Sequence, residues 1–318
     1  MTLKDKCGRP LLNLRVAVTQ RCNLRCQFCH MEGEERQPTN AVVEMTPDEI
    51  ATTVKVAVSR GISRVKFTGG EPLMRRDITE IVKKTALAEG LDDLSMTTNG
   101  SLLAPLADEL HANGLRRVNI SLPTLDADVF LKLTGGELEN TLQGIRAAVE
   151  AGFDPVKLNM LVLMGVNDAG VEQMIRFASH ADAVLQLIEL EPLNISSAYY
   201  SAYHVPLDGY ERMLEEKAVK VEARRYMQNR HVYHLSDAKV EVIRPIENTE
   251  FCNHCTRLRV TSDGKLKPCL MRNGNLIDFL GPMRKGALER ELTRLIELAN
   301  GKREPFSRSL MIAQARQS

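Results

Sequence analysis

The chain has 318 residues, 43% of them hydrophobic, enough to bury a core and slightly long for one compact domain. Lys and Arg total 42 against 41 Asp and Glu, so a net charge of +1 gives no electrostatic reason to expect nucleic acid or an anionic membrane as partner. The opening stretch MTLKDKCGRPLLNLRV is broken by charge and by Pro10, and no apolar run reaches the roughly 18 residues of a membrane span, so a soluble, cytoplasmic protein is expected.

Along the chain, short apolar stretches alternate with amphipathic ones. LRVAV (Leu14 to Val18) is a β-branched strand, and a loop carrying Cys22, Cys26 and Cys29 follows it. TPDEIATTVKVAVSRG outlines a helix, with Thr46 as cap, Pro47 in the first turn, Glu49 completing a capping box and Gly61 as terminator. Arg64 to Phe67 is the next strand and leads into TGGEP, after which a helix from Asp77 to Glu89 is closed by Gly90. LDDLSMTTNG gives a strand and a turn, then a helix from Leu102 to Asn113 stops at Gly114. RRVNISL is another strand, and Asn140 to Ala151 another helix, stopped by Gly152. VKLNMLVL and AVLQLIEL complete six strands, with a helix from Asp168 to His180 between them.

After Leu193 the alternation stops. NISSAYYSAYHVPLDGY holds four of the six tyrosines and no clear period, so an irregular segment is expected there, followed by a short helix from Asp208 to Glu216. DAKVEVIRP and TRLRVTSDGKLKPCL give further strands, the latter pair joined by a hairpin turn at Asp263-Gly264. The polar, basic tail after Gly301 carries no packing signal.

Strands alternating with helices argue for a parallel α/β architecture. An open dinucleotide-binding sheet would need glycines after its first strand, where this chain has cysteines. The polar groups instead lie at the ends of several successive strands, the pattern of a barrel. The expected fold is a partial (β/α)6 TIM-like barrel over residues 1–225, with a smaller C-terminal domain over 226–318.

The seven cysteines fall into two sets of three, with Cys7 apart from both. In a reducing compartment, with an odd count, metal ligation or redox chemistry outweighs a disulfide framework. A closed zinc site needs four ligands, which His30 could complete at the first set and His254 at the second. An iron–sulfur cubane held by Cys22, Cys26 and Cys29 would instead keep one iron open, and an open iron is a substrate site. Cys252, Cys255 and Cys269 repeat that incompleteness. Between them Arg257 and Arg259, two apart on a strand, project to one face and suit a polyphosphate.

The spacing CxxxCxxC directly after the first strand, with Phe28 before the third cysteine and GGEP after the second strand, resembles the radical S-adenosylmethionine superfamily. Taken with LRVAVTQRCNLRCQFC, TGGEPLMRRD, TTNG and FCNHCTRLRVTSDGKLKPCL, the stretch from about Asp5 to Leu270 resembles the GTP 3′,8-cyclase family of molybdenum cofactor biosynthesis, and FCHMEG resembles its archaeal-type members. The resemblance implies two 4Fe-4S clusters, one on Cys22, Cys26 and Cys29 and one on Cys252, Cys255 and Cys269, the latter receiving the guanine base at its open iron. It implies that Phe28, Gly70 and Ser121 contact S-adenosylmethionine and that Arg15, Lys66, Thr97, Lys157, Arg257 and Arg259 hold GTP. The implied reaction is radical: a 5′-deoxyadenosyl radical removes hydrogen from ribose C3′, and C3′ joins guanine C8.

The resemblance further implies a reductant as electron source and cyclic pyranopterin monophosphate synthase as the next enzyme; it leaves a homodimer open. Three positions depart from the family. Many members end in Gly-Gly, whereas this chain ends IAQARQS; Lys66 stands where bacterial members carry Arg; and Glu191 stands where they carry a Met near S-adenosylmethionine. The missing Gly-Gly favours, as alternative, a related radical enzyme acting on a peptide or another nucleotide. A zinc or iron–sulfur binding module without catalysis is the reading from a different class.

Overall fold

The computed structural model describes residues 2–35 and 44–306, so the IAQARQS terminus lies outside the described residues. Twelve strands form one sheet: β1 (Asn13–Ala17), β2 (Arg64–Thr68), β3 (Asp93–Thr98), β4 (Arg117–Ser121), β5 (Val156–Leu161), β6 (Val184–Ile188), β7 (Lys220–Arg224), β8 (Arg230–His234), β9 (Lys239–Ile243), β10 (Arg257–Val260), β11 (Lys265–Lys267) and β12 (Ile277–Asp278). Their order is β12-β11-β10-β1-β2-β3-β4-β5-β6-β9-β8-β7. From β10 through β9 the pairing is parallel, and the hairpins β10–β11–β12 and β9–β8–β7 add antiparallel edges.

The helices are α1 (Pro47–Ser59), α2 (Ile78–Ala86), α3 (Ala107–Ala112), α4 (Ala127–Thr134), α5 (Leu138–Glu150), α6 (Val171–His180), α7 (Ser197–Tyr203), α8 (Asp208–Lys217), α9 (Thr249–Asn253), α10 (Leu280–Arg284) and α11 (Glu289–Gly301). The capping box of α1 is formed as the sequence predicts: Glu49 N–H donates to Thr46 Oγ1 at 3.2 Å, and Thr46 N–H donates to Glu49 Oε2 at 2.8 Å. Alternation along each strand divides the molecule in two. Leu14, Val16, Val65, Phe67, Leu158 and Met160 are at most 1% exposed and belong to the main hydrophobic core, each such burial stabilising by about 1.5–3 kcal/mol. The intervening residues face a cavity on the other side. Register puts Arg259 beside Arg15 and Arg15 beside Lys66, a row of three cations across β10, β1 and β2.

The structure departs from the sequence expectation in several places. The six strands of the expected (β/α)6 partial barrel stand in order as β1 to β6, and β10 and β9, both late in the chain, extend the parallel series on either side. The boundary expected at 225/226 falls in the turn between β7 and β8. The segment expected to be irregular after Leu193 contains α7, whose cap Ser196 accepts the N–H of Tyr199 at 3.1 Å. The helix expected over Leu102 to Asn113 begins as a 3-10 turn at Ala104–Leu106, and that expected over Asp77 to Glu89 ends at Ala86. Beyond α11, Arg303 and Pro305 are also buried, Arg303 wholly, against Pro10 O and Cys255 O.

Candidate active site

The first cysteine loop leaves β1 and is clamped from two sides. Gly70 N–H donates to Thr19 O at 2.7 Å and Glu71 N–H to Arg21 O at 2.8 Å. A Cβ at Gly69 would stand 2.2 Å from Thr19 O, and one at Gly70 2.3 Å from Arg21 O, so the glycines of GGEP are demanded by this backbone-to-backbone approach. On the other side, Arg25 N–H and Gln27 N–H donate to Thr134 O and Leu133 O at 2.8 and 3.0 Å, satisfying carbonyls at the end of α4. The Glu71 carboxylate accepts Thr98 Oγ1–H and Asn99 N–H, both at 2.7 Å, which ties in the TTNG turn. Burial raises the Cys22 thiol and, with the neighbouring Cys29 and Cys22, pushes Cys26 up to about 12. Such crowded thiols need cationic partners to ionise, as a cluster's irons are.

The second set is built by side chains from distant parts of the chain. Cys252 lies on α9, which Asn248 caps through Phe251 N–H at 3.0 Å; Cys255 follows the helix, and Cys269 follows β11. Arg9 donates to Cys252 O at 2.7 Å and Arg303 to Cys255 O at 2.5 Å. Burial raises the Cys255 thiol, but the charges of Arg303, Arg257 and Arg259 outweigh it and lower the pKa; burial raises Cys269. The two histidines weighed as fourth ligands are engaged locally: His30 Nδ1 accepts Glu32 N–H at 3.0 Å, and His254 Nδ1 lies 3.0 Å from Glu250 O. Among the described residues no three Cys, His, Asp or Glu converge at single-ion spacing; a cubane draws its thiolates from a wider ring.

Both sets open into one cavity of about 350 Å³, and its wall includes every candidate residue: Cys22, Cys26, Phe28, Cys29, Gly70, Ser121, Arg15, Lys66, Thr97, Lys157, Arg257, Arg259, Cys252, Cys255 and Cys269. A polar chain that the sequence reading missed links the cations. Lys66 Nζ donates to Asn119 Oδ1, Asn119 Nδ2 to Gln186 Oε1 at 2.6 Å, and Gln186 Nε2 to Glu241 Oε2, which also receives Lys157 Nζ at 2.6 Å. Arg224 and Arg230 reach Glu241 Oε1 at 3.3 and 3.7 Å. Burial opposes ionisation of Glu241, yet these cations hold its carboxyl well below the usual range. The available signal was a polar residue inside an otherwise apolar buried strand, as in RVNIS, VLQLI and KVEVI.

Positive charge is in surplus here. Burial, then the neighbouring cations, lowers Lys66 and Arg257; burial and the neighbouring arginines outweigh Glu241 and bring Lys157 down to about 8. Arg230 Nε and Arg259 Nε have no hydrogen-bond partner among the described residues. Buried cations in that state call for a polyanion. The donor sets and the orphaned arginine nitrogens thus fit two iron–sulfur clusters and a nucleotide phosphate.

A family model for the radical SAM superfamily matches residues 16–178, and one for molybdenum cofactor synthesis C matches 183–308. The chain is 47% identical to a probable GTP 3′,8-cyclase of Thermococcus kodakarensis over 96% of this chain and 99% of that protein. It is 41% identical to a probable GTP 3′,8-cyclase of Methanocaldococcus jannaschii over 96% and 99%. Among solved structures, Streptococcus suis SuiB bound to S-adenosylmethionine superposes with a TM-score of 0.62 at 17% identity, over 83% of this chain and 62% of that one, a likeness of fold. Two family models end to end, and relatives matched over nearly their whole length, place this chain in the GTP 3′,8-cyclase family of the radical SAM superfamily.

Proposed function

We infer that the protein converts GTP to (8S)-3′,8-cyclo-7,8-dihydroguanosine 5′-triphosphate, the first step of molybdenum cofactor biosynthesis. The observation that carries this reading is the convergence of both cysteine sets and the cation cluster on one cavity. Two 4Fe-4S clusters and S-adenosylmethionine are its cofactors. When bound, the first cluster and S-adenosylmethionine supply the 5′-deoxyadenosyl radical that takes hydrogen from ribose C3′.

The chain's own residues supply position. Cys22, Cys26 and Cys29 would hold the first cluster, and Cys252, Cys255 and Cys269 the second, which with only three thiolates would keep a coordination position for the guanine. Phe28, Gly70 and Ser121 contact S-adenosylmethionine; the Phe28 ring packs with Leu133, Leu163 and Leu190, which restricts its orientation. Arg15, Lys66, Thr97, Lys157, Arg257 and Arg259 hold GTP, the cations on its triphosphate and ribose, so that two separated anchors, guanine and phosphate, fix the ribose between them. In this division residues 1–225 carry the radical source and 226–318 the second cluster. The protein works in the cytoplasm, takes electrons from a reductant and hands its product to cyclic pyranopterin monophosphate synthase. No helix among the described residues is long and apolar enough to cross a membrane.

Anaerobic incubation of the reconstituted protein with GTP, S-adenosylmethionine and reductant tests the reading. The cyclic nucleotide and 5′-deoxyadenosine should form together. Deoxyadenosine without a GTP-derived product moves the assignment to a radical enzyme with another substrate. Zinc in place of iron after anaerobic purification removes both.

A further inference from the structure

Glu32 lies three residues beyond Cys29 and places its carboxylate on the cation row. Its oxygens stand 3.4 and 3.5 Å from Arg15 Nη1, and Oε2 is 3.8 Å from Arg259 Nε. Two arginine–aspartate pairs elsewhere in the molecule are closer: Arg9 to Asp5 at 2.7 Å, and Arg75 to Asp77 at 2.8 and 2.6 Å. Only 11% of the Glu32 side chain is exposed. Burial opposes its charge, but Arg15, His30 and Arg259 overcome that and hold it at about 2, so an anion is present between the guanidiniums. The contact is long, the charge is real, and Arg259 Nε still has no hydrogen-bond partner among the described residues.

The backbone adds a second observation. Met31, Glu32 and Gly33 have successive φ values of +49°, +53° and +68°, a left-handed turn that L side chains at the first two positions disfavour. Lys267 Nζ donates to Gly33 O at 3.1 Å and holds the turn against β11. A disfavoured turn carries a carboxylate onto guanidiniums that it grips loosely.

We propose that Glu32 is a built-in stand-in for a phosphate group: it neutralises Arg15 and Arg259 in the nucleotide-free protein and is displaced by the triphosphate of GTP. The proposal rests on the reading that these two arginines hold the triphosphate. Displacement releases the turn that follows Cys29, so nucleotide arrival is transmitted to the loop of the first cysteine set. Competition also weakens GTP binding, because the apparent affinity is reduced by the fraction of molecules in which Glu32 has left its place.

The test measures GTP and guanosine binding by equilibrium dialysis to the holoprotein with both clusters oxidised, so that no turnover occurs. Glu32→Gln removes the competing charge, and Glu32→Asp keeps the charge but draws it back by one methylene. Both variants should bind GTP about tenfold more tightly, with guanosine binding unchanged. If Glu32→Asp binds GTP as wild type does while Glu32→Gln binds more tightly, the effect is long-range charge and the proposal falls; it falls also if neither variant tightens. Arg259→Ala separates the two layers. If that variant loses GTP affinity while Glu32→Gln leaves it unaltered, the stand-in is wrong and the phosphate site stands; if it keeps full affinity, both fail. Hydrogen exchange over residues 31–34 gives an independent readout. GTP should speed exchange there several-fold in wild type, and in Glu32→Gln exchange should be fast before GTP is added; an unresponsive wild-type turn overturns the proposal.

Discussion

Around Cys22, Cys26 and Cys29 backbone groups of neighbouring elements, Thr19 O and Arg21 O against GGEP and the last carbonyls of α4, hold the loop, whereas Cys252 O and Cys255 O are held by Arg9 and Arg303, reaching across 243 and 48 residues of sequence. The first set is thus placed by close packing, and its thiols crowd one another, Cys29 and Cys22 adding to burial in raising Cys26. The second set shares its cations with the cavity, since Arg257 and Arg259 act on Cys255 and also line the cavity wall. Damage to the first set should therefore act on radical generation alone, and damage to the second on both cluster binding and substrate.

Single cysteine substitutions give the largest contrast. Cys26→Ala should lose about half the iron and all cleavage of S-adenosylmethionine, because three thiolates are the minimum that leaves one iron open. Cys255→Ala should also lose about half the iron, yet retain cleavage without forming cyclic nucleotide. Iron analysis together with deoxyadenosine and nucleotide quantification reads both. Equal loss of cleavage in the two variants would erase the distinction between the sets.

Packing comes next in size. Gly70→Ala would drive a Cβ to 2.3 Å from Arg21 O and 2.5 Å from Gln20 O, both backbone atoms that cannot swing aside. A cost of about 2–3 kcal/mol is expected, as for other overpacked sites. Thermal denaturation should show a lowered Tm and iron analysis a preferential loss of the first cluster. Loss of the second cluster instead would mean that the loops do not act separately.

The cationic side of the comparison is sharpened by pH. Lys157 carries a pKa of about 8 in the folded protein, lowered by burial against the raising effect of Glu241. If Lys157 holds the triphosphate as proposed, it does so in its protonated form, so kcat/KM for GTP should fall as pH rises through about 8, by up to tenfold per unit. Lys157→Arg keeps the charge and should move that limb upward by at least about one unit. A limb left in place would assign it to another group.

These contrasts were unequally legible in the sequence. Cysteine spacing, GGEP and the glycine stops are local signals, and the elements they mark stand within a few residues of expectation. α4 was missed because ADVFLKLT is short and bounded by Gly135-Gly136, although its end holds the cysteine loop. The strand KVEAR was missed because β7 is an exposed edge, with no buried face to impose alternation. The row Arg259–Arg15–Lys66 and the chain Asn119–Gln186–Glu241 depend on which strands become neighbours, and β10 and β9 join the sheet from nearly the far end of the chain. Which distant strands become neighbours is set by tertiary packing, and no local pattern in the chain records it.

The smallest predicted effect lies at α9. Asn248 accepts Phe251 N–H at 3.0 Å and donates to Arg244 O at 3.1 Å, so one side chain both starts the helix that bears Cys252 and fastens it to the end of β9. Asn248→Ala should cost about 1 kcal/mol, and Asn248→Asp, which keeps the acceptor, should restore most of it. Because this helix has only five residues, fraying at its start reaches Cys252 directly. Loss of the second cluster under a chelator should therefore quicken several-fold in the Ala variant, while the first cluster, whose loop is held by GGEP and α4, keeps its wild-type rate. Equal acceleration at both clusters would show that the two sets are mechanically coupled through the cavity they share.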